Sequence, residues 1–109
     1  MDLARIIYFT DTVDDMVAFY RDVMGCVLIA DEPGWKELKA GQGIIAIHGG
    51  AKGPPNAYSP KIAFKCDDVP AMRAQLIAKG IEMGPLWEGE ISFCDGVDPG
   101  GYAFSISNR

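Results

Sequence analysis

One pattern, strand-helix-strand-strand-strand, is written twice along these 109 residues, and no other feature constrains the fold as much. The first copy opens on Arg5-Ile6-Ile7-Tyr8-Phe9-Thr10, a β-branched and aromatic run bounded by Asp11, which predicts a strand. A helix is expected next. Thr12 with Asp15 three residues on has the form of a capping box, and Val13, Met16, Val17, Tyr20, Val23 and Met24 recur at three- and four-residue steps before Gly25 stops the helix. Cys26 to Ala30, Trp35 to Lys39 and Gly43 to His48 then predict three short strands, separated by Asp31-Glu32-Pro33-Gly34 and Ala40-Gly41-Gln42 turns.

The stretch from Gly49 to Asn56, rich in Gly and Pro, has no periodicity and reads as linker. After it the pattern restarts. Lys61 to Cys66 predicts a strand, Asp68 caps a helix with Pro70 in its first turn and Met72, Leu76 and Ile77 on its stripe, and Lys79-Gly80 ends it. Ile81 to Met83, Glu90 to Cys94 and Tyr102 to Ser107 complete three more strands, with Asp98-Pro99-Gly100-Gly101 as the last turn. The expected organisation is one α+β domain over 1–109, with module 1 at about 1–50, a linker at about 51–59 and module 2 at about 60–109. Neither module buries enough surface to stand alone without staples.

Composition removes several function classes. The net charge of −5 and the absence of any Lys and Arg cluster argue against nucleic acid, whose phosphates require a basic stripe. No apolar run approaches the roughly 20 residues of a membrane span, and the start Met-Asp-Leu-Ala-Arg has no signal-peptide hydrophobic region, so the chain is expected in the cytoplasm. Cys26, Cys66 and Cys94 are an odd number at wide spacing with no C-x-x-C pair, which signals neither a disulfide framework nor a zinc knuckle.

The duplicated unit, with Phe19-Tyr20-Arg21-Asp22-Val23-Met24-Gly25 closing the first helix and Asp98-Pro99-Gly100-Gly101 before the last strand, resembles the vicinal oxygen chelate superfamily of glyoxalases, bleomycin-resistance proteins and extradiol dioxygenases. The resemblance implies two βαβββ modules forming a curved mixed sheet around a cleft, commonly completed in a homodimer. It supports metal-dependent enzymes and metal-free binding proteins alike. The metal ligands that it implies fall on Arg5, with a one-residue ambiguity toward Ala4, on Lys61, on Ile45 or Ala46, and on Ser105. None of these offers a carboxylate, imidazole or thiolate, so no metal and no other cofactor is expected, and the metal-dependent chemistries fall with it.

Arg5 and Lys61, starting the paired strands, are instead candidates to bind an anionic or oxygen-rich small molecule, with Ser105 adding a hydrogen bond; the alternative is that both are strand-edge residues with solvated heads. His48 is the single histidine and the best acid-base candidate, with Glu37 on the neighbouring strand as its orienter, or else a strand-terminal surface residue. Trp35, Trp87, Tyr8, Phe93 and Tyr102 are the aromatics available to line a cleft or to pack a core or dimer interface, and Trp87 and Tyr102 join the candidate ligand set. The expected function is a metal-free small-molecule-binding protein of the bleomycin-resistance type, sequestering a drug-like or metabolite ligand. The alternative is a lyase- or isomerase-type enzyme using His48 or a relocated metal, and a third reading is a structural or regulatory module with a filled cleft.

Overall fold

In the computed structural model, which describes residues 1–51 and 53–109, the first copy of the pattern forms a four-stranded mixed sheet in the order β1-β4-β3-β2. Its strands are β1 (Ile6–Thr10), β2 (Val27–Glu32), β3 (Trp35–Ala40) and β4 (Gly43–Gly49), with β1 parallel to β4 and the other pairs antiparallel. Alternation along the strands sends Tyr8, Thr10, Leu38, Ile45 and Ile47 to one face, where all five are buried. Helix α1 (Val13–Ala18) and the π-helical stretch Phe19–Val23 that continues it bury Met16, Val17, Phe19 and Tyr20, with α1 packed on β4. Burying each of these side chains contributes roughly 1.5–3 kcal/mol, so this face is the core of the unit.

The first helix departs from the sequence expectation at its start and in the π-helical form of its last stretch, while Gly25 ends it as expected. Thr12 makes no side-chain cap bond, so the capping box with Asp15 does not form. Its hydroxyl lies 3.0 Å from that of Thr10, whose Oγ1 also accepts the Thr12 N–H at 3.1 Å, and this local pairing replaces the cap. At the other end the Met24 N–H reaches the Phe19 carbonyl at 3.0 Å, a five-residue step, and the Cys26 N–H reaches Tyr20 at 2.8 Å across Gly25 at φ +76°. Only a residue free to adopt the left-handed region closes the helix in this way, which is why Gly25 stands there.

The second copy forms a three-stranded sheet in the order β5-β7-β6, from β5 (Ile62–Lys65), β6 (Phe93–Val97) and β7 (Ala103–Ser107). Again the first strand is parallel to the last and the remaining pair is antiparallel. Helix α2 (Val69–Ala78) packs on β6 and β7, burying Val69 and Leu76. Asp68 caps it as expected, its carboxylate accepting the Ala71 N–H at 2.9 Å. Asp98 carries the last turn: its buried carboxylate accepts the Gly100 and Tyr102 N–H groups, each at 2.9 Å.

The strand expected at Ile81 to Met83 is reduced to a single bridge between Met83 and Gly96. Gly84-Pro85 follows directly, and proline has no N–H to extend a ladder. The chain divides into two compact units, Met1–Pro54 and Pro55–Arg109, each taken by itself. Of the linker expected at about 51–59, Lys52 lies outside the described residues. Ser59 donates back to the Asn56 carbonyl at 3.0 Å in a turn. Among the described residues, no helix is long and apolar enough to cross a membrane.

Candidate functional site

The face of the first sheet opposite α1 collects the residues that the strand register throws to that side: Ile7, Phe9, Trp35, Glu37, Ala46 and His48. They form two rows. In one, His48 is the register partner of both Phe9 and Trp35, and its ring stands 4.8 Å from the first and 5.8 Å, edge-on, from the second. The His48 Nδ1 lies 2.6 Å from the Gly49 carbonyl oxygen. A carbonyl only accepts, so this contact calls for a proton on Nδ1, and the tautomer protonated there alone presents Nε2 as an acceptor.

In the other row, Ala46 is the register partner of Ile7 and Glu37 and is fully buried. Arg5, one residue before β1, crosses β4 and donates its Nε–H to Glu37 Oε1 at 2.6 Å. Glu37 is therefore held by Arg5, and it is the Gly49 carbonyl that orients His48. The Gly49 carbonyl could not be anticipated from side-chain chemistry.

The second sheet repeats this layout on its own face opposite α2. Lys61, one residue before β5, lies 3.2 Å from Asp95 Oδ2, and Asp95 is the third residue of β6 as Glu37 is the third of β3. Ser105 is the register partner of Asp95 and Ala63, the position that Ala46 holds in the first sheet. Two residues back, Phe93 matches Trp35, and Trp87 stacks on it with centroids 6.4 Å apart. Trp87 remains 64% exposed. Tyr102 precedes β7 in the same alternation as Phe104 and falls toward the helix-covered side, away from Lys61 and Ser105. Asp95 escaped the sequence reading, yet the signal was there: Trp35-x-Glu37 and Phe93-x-Asp95 repeat an aromatic-x-carboxylate pair at equivalent places.

The residues at the implied metal positions do not fit a divalent ion. Arg5 and Lys61 are cations already engaged with carboxylates, Ala46 has no donor, and Ser105 has only a hydroxyl. Among the described residues, no three of His, Cys, Asp and Glu come together. A separate cavity of about 250 Å³ opens on the helix-covered side of the first sheet, lined by Asp14, Val17, Arg21, Leu28, Asp31 and Lys36, and contains none of the candidate ligand residues. There Lys36 pairs with Asp31 across the strands, and the neighbouring Asp22 carboxylate holds the Arg21 guanidinium above, and is itself held below, its ordinary pKa.

The model of the Glyoxalase/Bleomycin resistance protein/Dioxygenase superfamily matches residues 2–106. The chain belongs to that superfamily. Solved structures agree with this glyoxalase-like fold. A glyoxalase family protein from Enterococcus faecalis superposes with a TM-score of 0.82 at 19% identity, over 97% of this chain and 96% of that one. The fosfomycin resistance protein FosX from Mesorhizobium loti gives 0.81 at 20%, over 99% and 92%. TnmS3, an antibiotic binding protein from a Streptomyces species, gives 0.77 at 19%, over 97% and 93%. At such identities the likeness is one of fold. No curated protein sequence matches the chain.

Proposed function

We propose that this superfamily member binds and sequesters a small organic ligand without the divalent metal used by its enzymatic relatives. The observation that carries the reading is the pair of cation-carboxylate bridges, Arg5 with Glu37 and Lys61 with Asp95, at the positions where the superfamily's metal ligands would begin. Each bridge supplies a charged, hydrogen-bonding centre beside aromatic side chains, half-buried Trp35 and Phe9 in one sheet and exposed Phe93 and Trp87 in the other, which is how small-molecule sites combine orientation with apolar contact. The antibiotic-binding TnmS3 lends the reading a precedent on the same fold. The reading includes a two-fold homodimer, which light scattering would test.

The test is a metal analysis joined to a ligand screen. Purified protein is expected to hold no stoichiometric divalent ion, and the ligands that raise its Tm are expected to do so equally with and without EDTA. A stoichiometric metal, or ligand binding abolished by EDTA, overturns the proposal.

The tautomer of His48 favours a second reading, an isomerase- or lyase-type enzyme in which Nε2 takes a proton from the ligand. His48→Gln separates the two. Binding retained with turnover lost belongs to the enzyme, and binding retained where no turnover is ever detected belongs to the binder.

A further inference from the structure

We infer that Arg5 receives a ligand carboxylate on the open face of the first sheet, that Glu37 is its positioning residue, and that the ligand is a small acid with an aromatic or other flat apolar body. The inference rests on the small-molecule-binding reading and narrows its ligand class.

The geometry of the guanidinium carries it. Arg21 gives Asp22 two hydrogen bonds, from Nε at 2.8 Å and Nη2 at 3.0 Å. Arg5 gives Glu37 only Nε–H, and among the described residues its Nη1 and Nη2 make no hydrogen bond. The plane of Arg5 is therefore fixed from its side while its terminal edge, whose two N–H groups match the two oxygens of a carboxylate, stays open. Exposure agrees. The Glu37 side chain is 17% exposed and that of Arg5 39%, so the acid is shielded and the cation accessible. Lys61 offers no such edge, because its single ammonium faces both oxygens of Asp95, at 3.3 and 3.2 Å.

The second row sets the ligand's body. Trp35 lies two residues from Glu37 on β3, roughly 7 Å along the strand, and shares its row with His48 and Phe9. That distance suits a carboxylate joined to a ring directly or through one or two methylenes. The ring would meet Trp35 and Phe9, and any N–H or O–H on it would face His48 Nε2.

Isothermal titration of the full chain with benzoate, phenylacetate and 3-phenylpropionate, each beside its amide, tests the inference. At least one acid is expected to bind about tenfold or more tightly than its amide, and Arg5→Lys, which keeps the charge and loses the fork, is expected to lose a similar factor. Glu37→Ala is decisive. If Glu37 acted on an anion only through its charge, removing it would tighten binding. If it positions Arg5, removal weakens binding, and Glu37→Gln, which keeps an oxygen for Nε–H, restores it. Unchanged Tm values show that the variants fold.

Acids binding no better than amides, no acid binding at all, or Glu37→Ala binding as tightly as the parent overturns the inference. Amide binding alone would leave the binding-protein reading standing. EDTA-sensitive binding would remove that reading instead.

Discussion

Lys61 Nζ lies 3.2 Å from Asp95 Oδ2, and the two residues hold in their sheet the register positions that Arg5 and Glu37 hold in the other. In both sheets the cation sits one residue ahead of the first strand, the acid is the third residue of the strand beyond, and the bridge crosses the strand between. Without its carboxylate, each cation would stand alone at the edge of its own sheet with only water to satisfy it. Paired in place, each makes a compact polar centre on the face of its sheet opposite the helix.

Neither bridge is expected to hold the fold together. Pairs this exposed contribute about 0–1 kcal/mol, so Asp95→Ala and Glu37→Ala should each shift urea unfolding by less than about 1 kcal/mol. A loss of several kcal/mol in either would mean that the pair is structural.

Gly96 presents a contrast. A Cβ there would stand 2.6 Å from Phe104 Cζ and 2.7 Å from Met83 Sδ, under the helix-covered face of the second sheet. Gly96→Ala is expected to destabilise by about 1–3 kcal/mol through overpacking, read in the same urea experiment. Full stability would show that Met83, held only by an isolated bridge, moves aside freely.

The duplicated pattern was legible because each element follows from local rules. Strand alternation at Tyr8 to Thr10, the Asp68 cap and the glycine stops at Gly25 and Gly80 all depend on near neighbours, and they stand where the sequence places them. What escaped was pairing across strands. The choice of Arg5, and not His48, as the partner of Glu37 depends on the register of β3 against β4 and on the reach of a long side chain. The shortened second strand of the second copy hinges on Pro85, whose missing N–H outweighs the alternation of Ile81 and Met83 about Glu82.

The two helix starts should respond differently to truncation. Asp68→Ala removes a carboxylate that accepts the Ala71 N–H, and is expected to cost about 1 kcal/mol. Thr12→Ala removes no cap bond and should cost less, because Thr10 Oγ1 still accepts the residue-12 N–H. Urea unfolding of both variants, with equal losses, would contradict this assignment.

Thiol chemistry gives the pH dependence. Burial pushes the Cys26 thiol above its ordinary pKa, and burial with the charges of Asp67 and Asp68 does the same for Cys66. Since only the thiolate is nucleophilic, both should alkylate more slowly at neutral pH than free cysteine, and Cys26, being buried, more slowly than half-buried Cys66. A thiol that keeps its proton longer when folded favours the folded state only while the unfolded thiol is also protonated. That contribution is complete below the ordinary thiol pKa and wanes as pH rises above it, when the unfolded chain ionises first. Asp67→Asn removes one of the charges that raise Cys66, and is expected to speed its labelling by iodoacetamide at fixed pH without altering that of Cys26. Mass spectrometry of timed samples reads both rates, and an unchanged Cys66 rate would assign its shift to burial and Asp68 without Asp67.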